Sequence, residues 1–211
     1  ALNTACPSKV GTMIGEGETI KDLARRVLGT IGALGWSKRD GDFYFQRFEG
    51  DGGTTTRDID RYVYAVGTAK EIDVALPADE VKYKYRRNWL QLARNQISGD
   101  IDPATQPWVF AFALRDWQIV TARRGSVTDD FKRARKIAVE SYFTRLNDAG
   151  TEANRVADLF DTPPQWIEVS VRRIAEAPLE LLDQVQLDVT DLDQDNVIRQ
   201  RLGTNATTFV V

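Results

Sequence analysis

The chain has 211 residues, 42% of them hydrophobic and 28% charged, with a formal net charge of −3. That is enough apolar material for one globular domain with a sub-domain and too much for a disordered chain, and no apolar run reaches the length of a membrane span. There is no histidine and only one cysteine, which excludes Ser-His-Asp and Cys-His catalysis, His-ligated zinc, Cys-rich metal sites and an intramolecular disulfide.

The first stretch, "ALNTACPSKVGTMIGEG", has neither the basic nor the apolar region of a signal peptide. It reads as a mature start after methionine removal and as an extended arm over 1–17. Cys6, in this arm, has no partner and is read as incidental, in keeping with a reducing compartment. Next, "TIKDLARRVLGTIGALGW" places Ile20, Leu23, Val27, Ile31 and Leu34 at intervals of three and four. This predicts an amphipathic helix over 19–35, with Thr19 and Asp22 as a capping box and Gly35 as the closing residue.

From Asp40 to about Leu146 the period changes to two. "DFYFQRF", "RYVYAVG", "EIDVALP", "EVKYKYRR" and "RKIAVESYFTRL" each alternate, and "EGDGGTTTRD" is rich in turn residues. "WVFAFALRDWQIVTARRG" reads as two strands about an Arg115–Asp116 turn. The expectation is a block of short antiparallel strands forming a small sandwich or partly open barrel. Helical spacing returns in "DAGTEANRVADLF", with Thr151 as cap, and in "TPPQWIEVSVRRIAEA", where Ile167, Val171 and Ile174 form a stripe expected to pack on Leu23, Val27 and Ile31. The last residues are polar up to the apolar tip Thr207–Val211.

The fold class expected is therefore α+β: a small helical bundle carrying an inserted antiparallel β-domain, with extended arms at both ends. The boundaries are 1–17 for the N-terminal arm, 18–186 for the body (helices 19–35 and 150–184 flanking a β block 40–146) and 187–211 for the C-terminal arm.

Three motifs invite a chemical reading. Asp73 (or Asp60) followed by Glu80 and Lys82 has the order of a Mg²⁺-dependent nuclease, in which two carboxylates hold the ion and a lysine steadies charge on the attacked phosphate. However, Glu80 shares its strand face with Lys82, Lys84 and Arg86, so a solvated hairpin is the preferred reading. "DLDQDN" lacks the glycine and the glutamate of a calcium loop, having Asn196 and Leu202 in their places. "GTMIGEGET" lacks the lysine of a phosphate cradle, and "RNWLQLARNQ" reads as packed aromatics under snorkelling arginines. No catalytic, cofactor-binding or metal site is assigned. The apolar tip, with Phe209, Val210 and Val211, is the candidate subunit or partner contact, because an uncovered β-prone end invites strand addition; the alternatives are docking on its own subunit or disorder.

Taken in order, the helix ending "LGW", then "DFYFQRF", then "YVYAVGTAKEIDVALPADEVKYKYRRNWLQLA", "QPWVFAFALRDWQIVTARRG", "YFTRLNDAGTEANRVADL" and "WIEVSVRRIAEAPLEL" resemble the head-to-tail connectors of tailed bacteriophages, the adaptor or tail-tubular-A-like group. The resemblance spans roughly Glu18 to Leu182 and includes the Leu76-Pro77-Ala78-Asp79 turn, with Glu80 standing where that group has an apolar residue. It implies a non-enzymatic virion protein of the neck, assembled in the bacterial cytoplasm into a ring, commonly dodecameric. Such a ring touches portal and tail proteins and lets genomic DNA pass, with no membrane partner and no cofactor. Another tail or baseplate component is the remaining structural alternative.

Overall fold

The computed structural model describes residues 8–12, 17–37, 41–48, 56–59, 70–163, 165–168, 184–188 and 206–210; for 56–59, 70–74, 165–167, 184–188 and 206–210 only the backbone is described. The fold is α+β, as expected. Two compact units share the chain, Ala1–Leu34 with Pro77–Thr162, and Gly35–Leu76 with Pro163–Val211.

The first unit is built on one central strand. β5 (Ala78–Tyr85) pairs antiparallel with β6 (Gln118–Arg123) and parallel with β7 (Arg135–Glu140). The sheet is thus mixed, not antiparallel throughout as the sequence reading had it, because the return from β6 to β7 crosses over through a short helix, α3 (Gly125–Asp130). Alternation gives the sheet two faces. Val81 sits opposite Ala122 and Ile137, and Tyr83 opposite Val120 and Val139. These residues turn towards α4 (Leu146–Leu159), whose Ala149, Ala153 and Ala157 are fully buried in the same core. Small residues four apart let the helix lie close to the sheet: the position of a Cβ on Gly150 would be 3.9 Å from Val120 Cγ2.

α1 (Ile20–Thr30) begins with the predicted capping box. The Asp22 amide donates to Thr19 Oγ1 and the Thr19 amide to Asp22 Oδ2, both at 3.2 Å. Its end differs from expectation. The helix stops at Thr30, and Gly32, at φ 61°, takes the left-handed position that Gly35 was expected to hold. The following residues enter β1 (Ala33–Ser37). Thr30 is buried and ties the helix end inward, donating to Arg26 O and accepting from the Tyr142 amide. Segment 141–144 lies between two neighbours: Arg86 N donates to Phe143 O and Ser141 N to Lys84 O on one side. On the other, Gly11 N donates to Tyr142 O and Thr144 N to Lys9 O. Part of the N-terminal arm is therefore paired to this segment through an isolated antiparallel bridge, Val10 to Phe143.

Between β5 and β6 the chain makes a long excursion, 86–117. Its "PWVFAFAL" is helix α2 (Pro107–Leu114), not the first strand of a hairpin. A run apolar at every position carries no period of two to distinguish it from a helix. Pro107 suits a first helical turn, and side chains from outside complete the other end. Asn88 Nδ2 donates to the Phe112 and Ala113 carbonyls, and Gln91 Nε2 to that of Leu114.

The second unit holds β2 (Phe43–Arg47), paired with β1, and β4 (Lys70–Val74), paired antiparallel with β8 (Gln165–Glu168). β9 (Gln184–Asp188) lies between β3 (Thr56–Ile59), parallel to it, and β10 (Ala206–Val210), antiparallel. Three readings are corrected here. Residues 56–58, read as part of a turn-rich stretch, belong to strand β3. Thr151 lies inside α4 and does not cap it; Arg145 holds that position without a side-chain bond. Gln165–Glu168 is strand where a helix was expected: "IEVSV" alternates as well as it fits a helical stripe, and β4 supplies the partner. Val171 and Ile174, with Asp60, Cys6 and "DLDQDN", lie outside the described residues, so the expected stripe against α1 does not enter the description.

Phe143 is 1% exposed and packs its ring 6.4 Å from that of Tyr83. Phe143→Ala should destabilise the protein by about 3–5 kcal/mol, read as a lower urea midpoint. A loss below about 1 kcal/mol would show that this ring does not anchor the unit.

Candidate functional site

The residues singled out for chemistry fall in different places. Glu80 and Lys82 lie on the face of the first unit's sheet opposite α4. Asp73 is on β4 of the second unit, at the irregularity where it pairs with Trp166, and only its backbone is described.

Glu80 was expected on a solvated face, and this is wrong: it is 4% exposed. Its direct neighbours explain the difference. Arg123 lies opposite it on β6 and Lys136 opposite it on β7. Arg123 Nε donates to Glu80 Oε2 at 2.9 Å and Arg123 Nη2 lies 2.8 Å from the same oxygen, while Lys82 Nζ is 2.9 Å from Oε1. The long cationic side chains fold over the carboxylate and remove it from water without leaving it unpaired. Lys82 first, then Arg123, hold the Glu80 carboxyl below its ordinary pKa despite the opposing effect of desolvation. A carboxylate so held is a poor proton carrier at neutral pH. With two cations already on it, it is also a poor ligand for Mg²⁺. Among the described residues no group of three or more His, Cys, Asp or Glu is placed to hold a metal ion. Arg123 and Lys136 were not found by sequence reasoning, because their register to Glu80 is set only after a 32-residue excursion and a crossover.

A second cluster joins arginines to aromatic rings. Arg87 lies 4.2 Å from the Trp89 ring centre and 5.2 Å from that of Trp117. Trp89 stacks on Tyr142, with Trp117 edge-on to the same ring. Arg86 lies over Phe112 and Arg94 over Phe110. The sequence reading of packed aromatics under snorkelling arginines holds for Arg87 over Trp89 and fails for Leu90, which is exposed.

Other large apolar side chains stay exposed. On the excursion these are Leu90 (74%), Trp108 (66%) and Trp89 (43%); on β2 they are Phe43 (75%), Phe45 (52%) and Tyr44 (38%). Successive strand residues point to opposite faces, so the β1–β2 pair has exposed aromatics on both. As for the chain's apolar tip, Phe209 pairs with Val185 and Val210 with Gln184 of the same chain. Val211 lies outside the described residues.

No family model matches the chain, and no curated protein does. Among solved structures there is a likeness to the crystal structure of prophage tail protein gp18 from Listeria monocytogenes EGD-e, with 15% identity, a TM-score of 0.46 and coverage of 92% of this chain but 47% of that one. The chain thus spans about half the length of that structure, and a likeness at this level fixes neither fold nor role.

Since Glu80 titrates below its ordinary value in the folded chain, its pairing contributes stability that is present at neutral pH and lost as pH falls through the acidic range. Urea midpoints taken from pH 6 to pH 3 should therefore fall more steeply for the wild type than for Glu80→Gln. Parallel curves would show that the Lys82 and Arg123 contacts contribute nothing.

Proposed function

We propose that this chain is a structural, non-enzymatic component of a tailed-phage virion, a neck protein whose copies form a ring joining portal and capsid to the tail and letting DNA pass. The observation that carries the reading is the β1–β2 pair. A two-stranded ribbon is marginal in water by itself, and this one leaves the Phe43 and Phe45 side chains largely exposed. Apolar surface of this kind marks a site where another protein docks. Leu90 and Trp108 offer a second such surface. The order of segments resembling head-to-tail connectors supports the same role, and so does the ion-paired state of Glu80, which takes one carboxylate out of the nuclease reading.

In this reading copies of the chain are the first partners, with portal and tail proteins above and below. β10, an outer strand of its sheet among the described residues, takes a strand from a neighbour, and Phe209, Val210 and Val211 are the contact residues of this reading.

Native mass spectrometry of the purified chain should show a closed oligomer. An exposed Phe side chain that becomes fully buried contributes about 1.5–3 kcal/mol, so Phe43→Ser with Phe45→Ser should weaken assembly at least about tenfold while leaving the circular dichroism native-like. A chain that stays monomeric at high concentration would overturn the proposal. Incubation with DNA and Mg²⁺ or Mn²⁺ should give no cleavage; cleavage abolished by Glu80→Ala would restore the nuclease.

A further inference from the structure

β7 is an outer strand of the β6–β5–β7 sheet. Arg135 N donates to Pro77 O and Ser141 N to Lys84 O, so the backbone groups of the odd residues of β7 turn towards β5. Those of Lys136, Ala138 and Glu140 turn away from it, because successive residues of a strand present these groups to opposite sides. Further along, the same outer side is in use: Gly11 N donates to Tyr142 O and Thr144 N to Lys9 O. Before Tyr142, among the described residues, no backbone partner meets this edge. Ala138 is exposed, and a side chain so small is accessible only where little lies over the strand.

An open edge invites another strand, and natural edges are commonly guarded by a proline, a bulge or charges that repel. β7 has no proline, and its irregularity lies on the β5 side, between Ala78 and Glu80. Its exposed charges do not repel a second β7. Lys136 and Glu140 are opposite in sign and stand at equal distances either side of Ala138. Set antiparallel to its own copy about Ala138, the strand brings Lys136 opposite Glu140 at both ends and Ile137 opposite Val139. The outward backbone groups of Lys136, Ala138 and Glu140 then meet in register, each pair exchanging both N–H···O bonds. Glu140 has room for a second cation: Lys84 Nζ lies 2.9 Å from its Oε1, and the Glu140 side chain is 59% exposed. Glu80 already shows that arrangement, with Lys82 on one oxygen and Arg123 on the other. Ile137 and Val139 pack at the margin of the core, so the join extends the apolar face as well. The other outer strand, β6, exposes Ile119, Thr121 and Arg123 and carries no acid; pairing it with itself forms no ion pair.

We infer that β7 of one copy pairs antiparallel with β7 of a second copy about a two-fold axis at Ala138, joining two three-stranded sheets into one. This contact goes beyond the ring proposed above: it joins two copies, or two rings, back to back.

Charge reversal and cross-linking test it. Lys136→Glu sets like charges opposite each other across the axis, and so does Glu140→Lys. In sedimentation velocity at low salt each should associate at least about tenfold more weakly than the wild type. An equimolar mixture of the two should regain association, since each variant then carries the charges the other lacks. Ala138→Pro removes an N–H on the outer side and none that faces β5, so it should weaken pairing while leaving the circular dichroism native-like; if it fails to fold, the charge variants still decide. In a Cys6→Ser background, Ala138→Cys should form an intermolecular disulfide under mild oxidation, because directly paired residues lie about 5.5 Å apart at Cα. Lys136→Cys should not, its partner being Glu140. Closed oligomers unchanged by the charge variants would overturn the inference and leave the ring standing; a monomer under all conditions would overturn both. No recovery on mixing, or a disulfide at Lys136→Cys and none at Ala138→Cys, would place the contact elsewhere and sink it.

Discussion

In the first unit everything is referred to the register of β5. Both edges of this strand are hydrogen bonded, so its side chains have no freedom to exchange faces. Val81 and Tyr83 meet the alanine side of α4, and Glu80, Lys82 and Lys84 are sent to the other side of the sheet. A slip of one residue would press Glu80 and Lys82 against Ala149 and Ala153. The same register is what sets Arg123 and Lys136 beside Glu80. The apolar core and the cationic face are thus two results of one constraint, and a change that loosens either should be felt by both.

The charged groups on this scaffold are used locally. Arg87 is held between Trp89 and Trp117, and Arg26 lies over Tyr142. Arg124 reaches Asp158 and Asn154 on α4, and Arg155 forks onto the buried carboxylate of Glu152. Each of these cations is committed to a ring or to an acid on its own unit. Against this background Glu80 stands out, because there two long cations, Lys82 and Arg123, share one buried carboxylate.

How far the sequence could be read depended on whether a signal was local. The capping box of Thr19 and Asp22, the alternation of Val81, Tyr83 and Tyr85, and the helical spacing of Val156, Leu159 and Phe160 involve residues within one or two turns of each other, and all three elements are where that spacing puts them. The misreadings share a different origin. "PWVFAFAL" is apolar throughout, so its state was decided by Pro107 and by carbonyl caps from Asn88 and Gln91 some twenty residues away. "QWIE" stands at the head of a run that fits two periods, and β4, far upstream, pairs with it as strand. Glu80 looked solvated because nothing nearby in sequence announces that Arg123 and Lys136 will lie opposite it. For the site this matters more than for the fold: Glu80 and Lys82 of the nuclease order meet as an ion pair, with Arg123 from β6 on the same carboxylate.

The interleaving of the two units has a consequence for how the chain is made. Lys9 bonds to Asp148, 139 residues later, and Arg57 pairs in parallel with Val185. A ribosome releasing the chain from its N-terminus therefore finishes neither unit early. The first cannot close until α4 has emerged, and by then Gly35–Leu76 has long been waiting for strands that are still to be synthesised. Such distant pairings raise the contact order, and with it the time before non-local hydrogen bonds compensate the entropy lost in closing the loops. During that interval the aromatics of β2 are exposed, so a slow-folding chain carries its stickiest ribbon uncovered through most of its synthesis.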